Sequence, residues 1–496
     1  MRIAGTTGTL RAGAGLTALV LMAGLVLGSL VSLTVGPRSP HLATVVTGDA
    51  QLAADFRATL ASDAGYGQVS VARIRDGQVS YAGLGSEGLE PPTPQTPFEL
   101  GSITKTFTGL LLADAVERGE LRLDAPVSTY LPELAGSSAG AATLQQLATH
   151  TSGLPTLPPA MGLATLGQTL GNDNPYASLT VPQLLAAAVK TPVEDVGHYA
   201  YSNLGMALVG HAEARAAHAV DWPTLARTRI LQPLGMTNTV FVTDAAQLPA
   251  GTADPHTDNG WRAPHWYGPA FTPAGAATVT TAEDVTAYAR AVLDRRVPGL
   301  AALTPVSDAT NGRIGLAWFT RETEGRALTW HNGGTGGYRS MLAVDLQAGT
   351  AVVVLNSSTR WVDRPALQLA ATPAGGALAA ADAPEGPSGL PLVLAATGLA
   401  LLLTGLVQSL TTRSRLGLAA AALTAASGLV LLLAHGPWAQ VPAWTWGGGA
   451  GLAVAATILG ALRLRSAPAS PTRHRVGGTL SLASAVVVLA FAVWAC

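Results

Sequence analysis

Apolar positions along this chain follow distinct rhythms, and each predicts a different kind of element. Between 67 and 84, Val69, Val71 and Ile74 lead into Arg75-Asp76-Gly77, after which Val79 and Tyr81 resume the alternation. Period two around a turn signal predicts a hairpin. Met341 to Asp345 and Ala351 to Asn356 are two more apolar runs around Gln347-Ala348-Gly349, and predict a second hairpin that closes the same sheet. Between these ends Thr106 to Arg118 and Val181 to Lys190 read as helices, with Pro/Gly breaks at 153–163 and 263–275. Thr281-Ala282-Glu283-Asp284 begins another helix, with Thr281 as N-cap and the acids where the helix dipole favours them. Strands at both ends of a helical middle predict an α+β domain holding a helical insertion. No internal repeat is present.

Other stretches have no polar rhythm. An uncharged, Leu/Val/Ala/Gly-rich stretch lies between Arg11 and Arg38 and is long enough to cross the roughly 30 Å hydrocarbon layer. Residues 1–36 are therefore a signal anchor or a signal peptide. The apolar core is longer than a signal peptide usually has and ends in Leu33-Thr34-Val35-Gly36 without an A-x-A-like site, which favours the anchor. After Glu385 no acidic residue occurs, and apolar runs at 389–410, 416–435, 441–462 and 476–494 predict four transmembrane helices. Arg413 and Arg415 follow the first of these, and Arg463, Arg465, Arg473 and Arg475 the third, while Pro437 to Trp446 carries three tryptophans and no charge. By the positive-inside rule the arginine loops are cytoplasmic and the tryptophan loop is an outer interfacial belt. Residues 37–385 then fall outside the cell, in agreement with an N-terminal segment running from inside to outside. The expected order is a segment at 1–36, a soluble domain at 45–370, a small-residue linker at 371–388 and helices over 389–496.

Composition sharpens this division. Of 496 residues, 48% are hydrophobic and only 12% charged, against about a quarter charged in ordinary soluble domains. The length calls for at least two structural units. A net charge of −1 without a basic block argues against nucleic acid as a partner. Cys496 is the only cysteine, so neither an intramolecular disulfide nor a cysteine-rich zinc site can form.

Lysine occurs only at Lys105 and Lys190, against 27 arginines, so a motif that needs lysine carries information here. Phe98-Glu99-Leu100-Gly101-Ser102-Ile103-Thr104-Lys105 contains Ser-x-x-Lys at an expected helix start. Residues three apart share a helix face, so Lys105 can reach the Ser102 hydroxyl, a weak nucleophile until a base or a lowered pKa activates it. The plain reading is an N-capping serine and a solvated lysine. Tyr201-Ser202-Asn203 places a phenol, whose proton a nearby cation would loosen, two residues before an amide suited to holding a substrate amide; its plain reading is a buried tyrosine before a capped helix. Trp330-His331-Asn332-Gly333-Gly334-Thr335-Gly336-Gly337 is either a glycine-rich strand edge whose N–H groups face a developing oxyanion, or a hairpin connector.

In the order Ser-x-x-Lys, Tyr-x-Asn, His-x-Gly, the three motifs resemble the serine β-lactamase and penicillin-binding protein superfamily, in particular its class C β-lactamase-like group with D-stereospecific peptidases and esterases. The resemblance covers about residues 45–370 and includes the segments Leu147-Ala148-Thr149-His150-Thr151-Ser152-Gly153-Leu154-Pro155 and Leu231-Gln232-Pro233-Leu234-Gly235-Met236. It implies an antiparallel sheet flanked by helices with a helical subdomain, and acylation of Ser102 by a carbonyl substrate. Lys105 and Tyr201 would move protons, and the N–H groups of Ser102 and Gly334 would form the oxyanion hole. Asn203, His331, Gly333 and Gly334 would bind substrate. No cofactor or metal is implied; the partners are a small-molecule or peptide substrate with an acyl carbonyl, and membrane lipid. The departure is His331, where β-lactamases and carboxypeptidases usually carry the lysine of Lys-Thr-Gly. An unperturbed histidine is mostly neutral at pH 7, which favours esterase or aminopeptidase-type relatives over enzymes of penicillin-like carboxylates.

Asp254, His256, His265 and Trp266 suggest a metal site, but the Pro and Gly between them read as a loop, and His150 reads as bracing a turn rather than acting in catalysis. Two alternatives accompany the hydrolase. One is a penicillin- or peptide-sensing receptor with little turnover, disfavoured by cytoplasmic loops too short for a signalling domain. The other is a transport or partner-binding module formed by the four helices with the hydrolase as accessory, disfavoured by spans without charge.

Overall fold

A computed structural model describes residues 6–35, 37–162, 174–310, 312–373, 375–378, 390–438, 441–465 and 485–486. The chain divides into a larger unit between Pro40 and Pro384 and a smaller one made of its two ends, up to Ser39 and from Glu385.

The larger unit is built on a nine-stranded antiparallel sheet. Its strands are β1 (Leu42–Gly48), β2 (Val69–Arg75), β3 (Gln78–Ser86), β7 (Ser307–Ala309), β8 (Gly312–Ile314), β9 (Phe319–Thr323), β10 (Arg326–Gly334), β11 (Arg339–Asp345) and β12 (Thr350–Asn356), in the order β1-β3-β2-β12-β11-β10-β9-β8-β7. Both expected hairpins are present, with Val71 opposite Ala82 and Leu342 opposite Val353. The first turns through Asp76 and Gly77, both at positive φ, as a two-residue hairpin loop requires. Since β2 pairs with β12, the two ends of the unit close one sheet.

Alternation along β12 sorts the core. Val352 and Val354 face a layer with the helices Ala50–Ala58 and Asp363–Ala371, while Val353 and Leu355 face the helices Thr104–Glu117, Asn203–Ala216 and Ala282–Leu293. Apolar area on both faces is the main favourable term of such a domain, at about 25 cal/mol per Å² buried. The Thr104–Glu117 helix is buried on nearly every side, as a helix through the centre of a core must be. Thr281 caps the Ala282–Leu293 helix by accepting the Asp284 N–H at 3.2 Å, as its sequence predicts. A second sheet of β4 (Pro97–Glu99), β5 (Val240–Phe241) and β6 (Thr278–Thr281), ordered β4-β6-β5, is formed by strands too short to register as periodic sequence.

In the smaller unit, Thr17–Thr34, Leu392–Thr411, Arg415–His435 and Trp444–Arg465 are long and apolar enough to cross a membrane. They correspond to the expected N-terminal segment and the first three expected C-terminal spans. The fourth, 476–494, lies outside the described residues except for 485 and 486, as do residues 379–388 of the expected linker. The N-terminal helix packs on Trp444–Arg465 through small residues. A Cβ on Gly28 would stand 2.0 Å from the Gly447 carbonyl oxygen, and one on Gly451 would stand 1.9 Å from that of Gly24. The Ser29 hydroxyl donates to the Trp444 carbonyl at 3.2 Å.

Candidate active site

Ser102 sits where the small sheet gives way to the buried helix. β4 ends at Glu99, Gly101–Ile103 form a single 3-10 turn, and the helix Thr104–Glu117 follows. Gly101 has φ +61°, and a Cβ there would lie 2.6 Å from the Gly334 nitrogen. Glycine thus supplies both the left-handed backbone and the close approach of the turn to β10. The turn is tied to both sheets: the Leu100 N–H donates to the Thr278 carbonyl at 2.8 Å, and Ser340 Oγ donates to the Leu100 carbonyl at 2.6 Å.

Lys105, three residues on, is fully buried. Its Nζ lies 2.8 Å from Ser102 Oγ and donates to the Ala274 carbonyl at 2.6 Å. Burial pushes its pKa well below the ordinary lysine range, because desolvation penalises the ammonium. The buried amine beside the hydroxyl is thereby shifted toward its free, proton-accepting form.

Tyr201 stands over the same lysine, with Nζ 5.0 Å from the ring centroid. Burial raises its pKa above the usual phenol value, and a hydrogen bond with Ser102 only partly offsets this. The expectation that a neighbouring cation loosens the phenol proton is therefore corrected. Removing the phenolate from water costs more than the hydrogen bond returns, and burial of Lys105 weakens the cation that was to stabilise it.

His331 lies on β10 and is fully buried. Its Nδ1–H donates to the Asn332 carbonyl, so Nε2 carries the lone pair; that nitrogen is buried without a hydrogen-bond partner. Burial, with the nearby Lys105 adding to it, lowers the ring's pKa to about 3. The ring is neutral at pH 7 and offers no fixed cation. β9 pairs with β10 only as far as Phe319 opposite Trp330, while β11 pairs with it through Gly334 opposite Arg339. Among the described residues, one edge of His331–Gly334 is left without a strand, so the first half of the glycine-rich stretch is a strand edge, while Thr335–Gly337 lie in the turn that joins β10 to β11.

Asn203 begins the Asn203–Ala216 helix, capped by Ser202 Oγ on the Gly205 N–H at 2.9 Å. Its Nδ2 donates to the Tyr176 hydroxyl at a long 3.5 Å, and its Oδ1 is buried without a partner. Tyr176 packs edge-on against Trp266, with centroids 5.2 Å apart. The Ser102, Lys105 and Tyr201 side chains are in mutual contact, and Gly333 and Gly334 lie against the Ser102 turn: a Cβ on Gly333 would meet the Ser102 nitrogen at 3.1 Å. Sequence reasoning missed the Ala274 carbonyl and Tyr176, whose signals are a lone glycine-bounded loop and an isolated aromatic. His150, read from the sequence as bracing a turn, accepts the Ala200 N–H on its carbonyl and the Ser202 N–H on Nδ1.

The loop that suggested a metal site has other partners. His265 Nδ1 donates to buried Glu99 at 3.0 Å, the Trp266 N–H donates to the same oxygen at 2.9 Å, and Asp254 pairs with Arg262. Burial raises the pKa of Glu99.

A two-faced antiparallel sheet, a helical layer and a buried lysine on a serine at the helix start define the class: serine hydrolases of β-lactamase and transpeptidase type. The β-lactamase family model matches residues 51–376, and the chain belongs to the β-lactamase family. Among curated relatives, the β-lactamase of Escherichia coli K12 is 44% identical over 88 residues, covering 17% of this chain and 23% of that protein. That of Pseudomonas fluorescens is 30% identical over 184 residues, covering 36% and 47%. The chain thus spans about a quarter to a half of the length of the curated relatives it matches. Among solved structures, the D-alanine carboxypeptidase of Burkholderia cenocepacia is 24% identical, with a TM-score of 0.52 over 64% of this chain and 95% of that one. The octameric penicillin-binding protein homologue of Pyrococcus abyssi is 26% identical, with a TM-score of 0.52 over 59% and 70%.

Proposed function

We propose that this protein is a membrane-anchored serine hydrolase that forms an acyl-enzyme at Ser102 with an ester or amide substrate, a D-amino-acid or cell-wall peptide being one suited to its location. The observation that carries the reading is the buried Lys105 amine 2.8 Å from Ser102 Oγ, with its pKa lowered by burial. As Oγ attacks the carbonyl carbon, its proton passes to Lys105 Nζ, and the N–H groups of Ser102 and Gly334 receive the oxyanion. Tyr201 gives its phenol proton to the leaving group and regains one from Lys105, so both end as they began. Water then attacks the ester carbonyl, loses a proton along the same route, and Ser102 leaves protonated. Asn203 and the free edge at His331–Gly334 hold the substrate backbone.

Neutral His331 separates this reading from enzymes that hold a substrate carboxylate on the lysine of Lys-Thr-Gly, and favours esters or amides without such an anion. The soluble domain is assigned to about 45–370 and the membrane helices to 1–36 and 389–496. The arginine loops support a multi-pass reading with the catalytic domain on the extracytoplasmic side. A receptor with little turnover is the second reading, and turnover separates the two.

The test is mass labelling of the purified protein with a fluorophosphonate and, separately, a fluorescent penicillin, against Ser102→Ala. Reaction of Ser102 with the phosphonate but not the penicillin is expected, followed by turnover on short-chain esters or D-Ala amides. Labelling by penicillin would restore a β-lactamase or carboxypeptidase role despite His331, and no Ser102-dependent label would sink the hydrolase.

A further inference from the structure

His150 is fully buried, and its backbone lies at φ +58°, a left-handed conformation that few residues other than glycine adopt without a local reason. Its carbonyl accepts the Ala200 N–H at 2.7 Å, and its Nδ1 accepts the Ser202 N–H at 3.2 Å. One residue therefore holds the main chain on either side of Tyr201. Its ring packs on the Tyr201 ring, with centroids 4.5 Å apart and planes tilted by 43°. The same loop adds support further along: Thr156 Oγ1 donates to the Tyr201 carbonyl at 3.0 Å, and Ser202 Oγ donates to the Pro155 carbonyl at 2.8 Å.

Acceptance at Nδ1 fixes the tautomer, so the ring proton sits on Nε2, which is buried without a partner. Lys105 faces the ring from its helix, His331 faces it from β10, and the phenols of Tyr199 and Tyr201 pack against it. Burial and those two basic groups hold its pKa well below the usual histidine value, so the lone pair that Ser202 needs persists into acid.

We propose that His150 is the positioning residue for Tyr201, placing the phenol over Ser102 and Lys105 by holding both flanking N–H groups and packing a neutral ring on it. The proposal rests on the reading of Tyr201 as the carrier of the leaving-group proton. A ring that only filled space would be replaceable by an apolar side chain of similar size. A positioning residue needs an acceptor at the Nδ1 position and a residue at ease with positive φ, and asparagine offers both. Glutamine carries its amide one methylene further out.

The experiment uses the full chain in detergent and measures kcat and KM on a p-nitrophenyl ester for wild type, H150N, H150Q, H150L, Y201F and the double variant H150Q/Y201F, with Tm for each. H150Q and H150L should lose about ten- to hundredfold in kcat, the scale of a catalytic group displaced by an ångström, with little change in KM. H150N should recover most of that loss. The double variant should be little worse than Y201F, because the two losses share one cause. Wild-type kcat in H150Q or H150L, a loss in H150N equal to that in H150Q, or losses that multiply in the double variant would each overturn the proposal. Should H150L not fold, H150Q and H150N, which differ by one methylene, carry the comparison. Failure of the underlying reading is separate and visible: Y201F would turn over like wild type.

Discussion

In the proposed mechanism Lys105 carries the proton that Ser102 gives up. Its amine has no carboxylate against it among the ion pairs of the described residues, and burial favours its free form. Unfolded, the lysine titrates near 10.5, and folded, well below it. Between these values the unfolded chain binds the extra proton, so stability rises with pH across the window. Lys105→Met should abolish this slope in a Tm-against-pH series, leave the protein at least as stable near neutral pH, and cut acylation by about two to four orders of magnitude. In wild type, acylation should fall as pH drops through the lowered lysine pKa. His331 gives a second prediction. Its neutral ring lacks the cation that a substrate carboxylate would meet, so His331→Lys should raise the rate of Ser102 labelling by penicillin about ten- to hundredfold, the worth of one charge-assisted hydrogen bond. An unchanged rate would show either that burial neutralises the new lysine, as it does Lys105, or that the carboxylate is excluded by something other than charge.

At the scale of elements, the decisive contact is between the 3-10 turn at Gly101–Ile103 and β10. Gly101→Ala places a methyl 2.6 Å from the Gly334 nitrogen and strains a residue at φ +61°. The variant should therefore lose about 10²–10³ in kcat, as removal of an oxyanion donor does, while KM changes little. The two hairpins, the capped Ala282–Leu293 helix and four of the five expected apolar spans were legible from the sequence because each has its own period, cap or uninterrupted apolar run: Val69 to Tyr81 alternates around Asp76-Gly77, and Thr281 precedes Glu283 and Asp284. β4, β5 and β7 were not, since two or three residues cannot show a period. The meeting of Ser102, Lys105, Tyr201 and His331 followed from motif order and resemblance, not from any local signal. The raised pKa of Tyr201 was hidden because burial, its cause, is a property of the packed molecule. So was the use of His150, whose two contacts flank a residue about fifty positions away.

On the scale of the whole molecule, the N-terminal helix belongs with the apolar C-terminal helices, since its Gly24 and Gly28 meet Gly447 and Gly451 at backbone distance. Gly28→Leu should separate this pair, and loss of a disulfide between cysteines placed at Ser29 and Trp444 would report it. The cross-link in the parent chain would also show that the segment remains in the mature protein. Topology has its own check: with Cys496 replaced by serine, a cysteine at Ser414 should resist an impermeant maleimide in intact cells, while one at Asp258 should react. The reverse would place the catalytic domain inside. The central claim, however, is covalent chemistry at Ser102, and it is tested most directly by rapid-quench peptide mapping of the protein during turnover of an activated ester. A transient acyl group on the peptide that carries Ser102, absent from both Ser102→Ala and Lys105→Met, is the predicted result. Turnover without that adduct, or an adduct on another residue, would contradict the account.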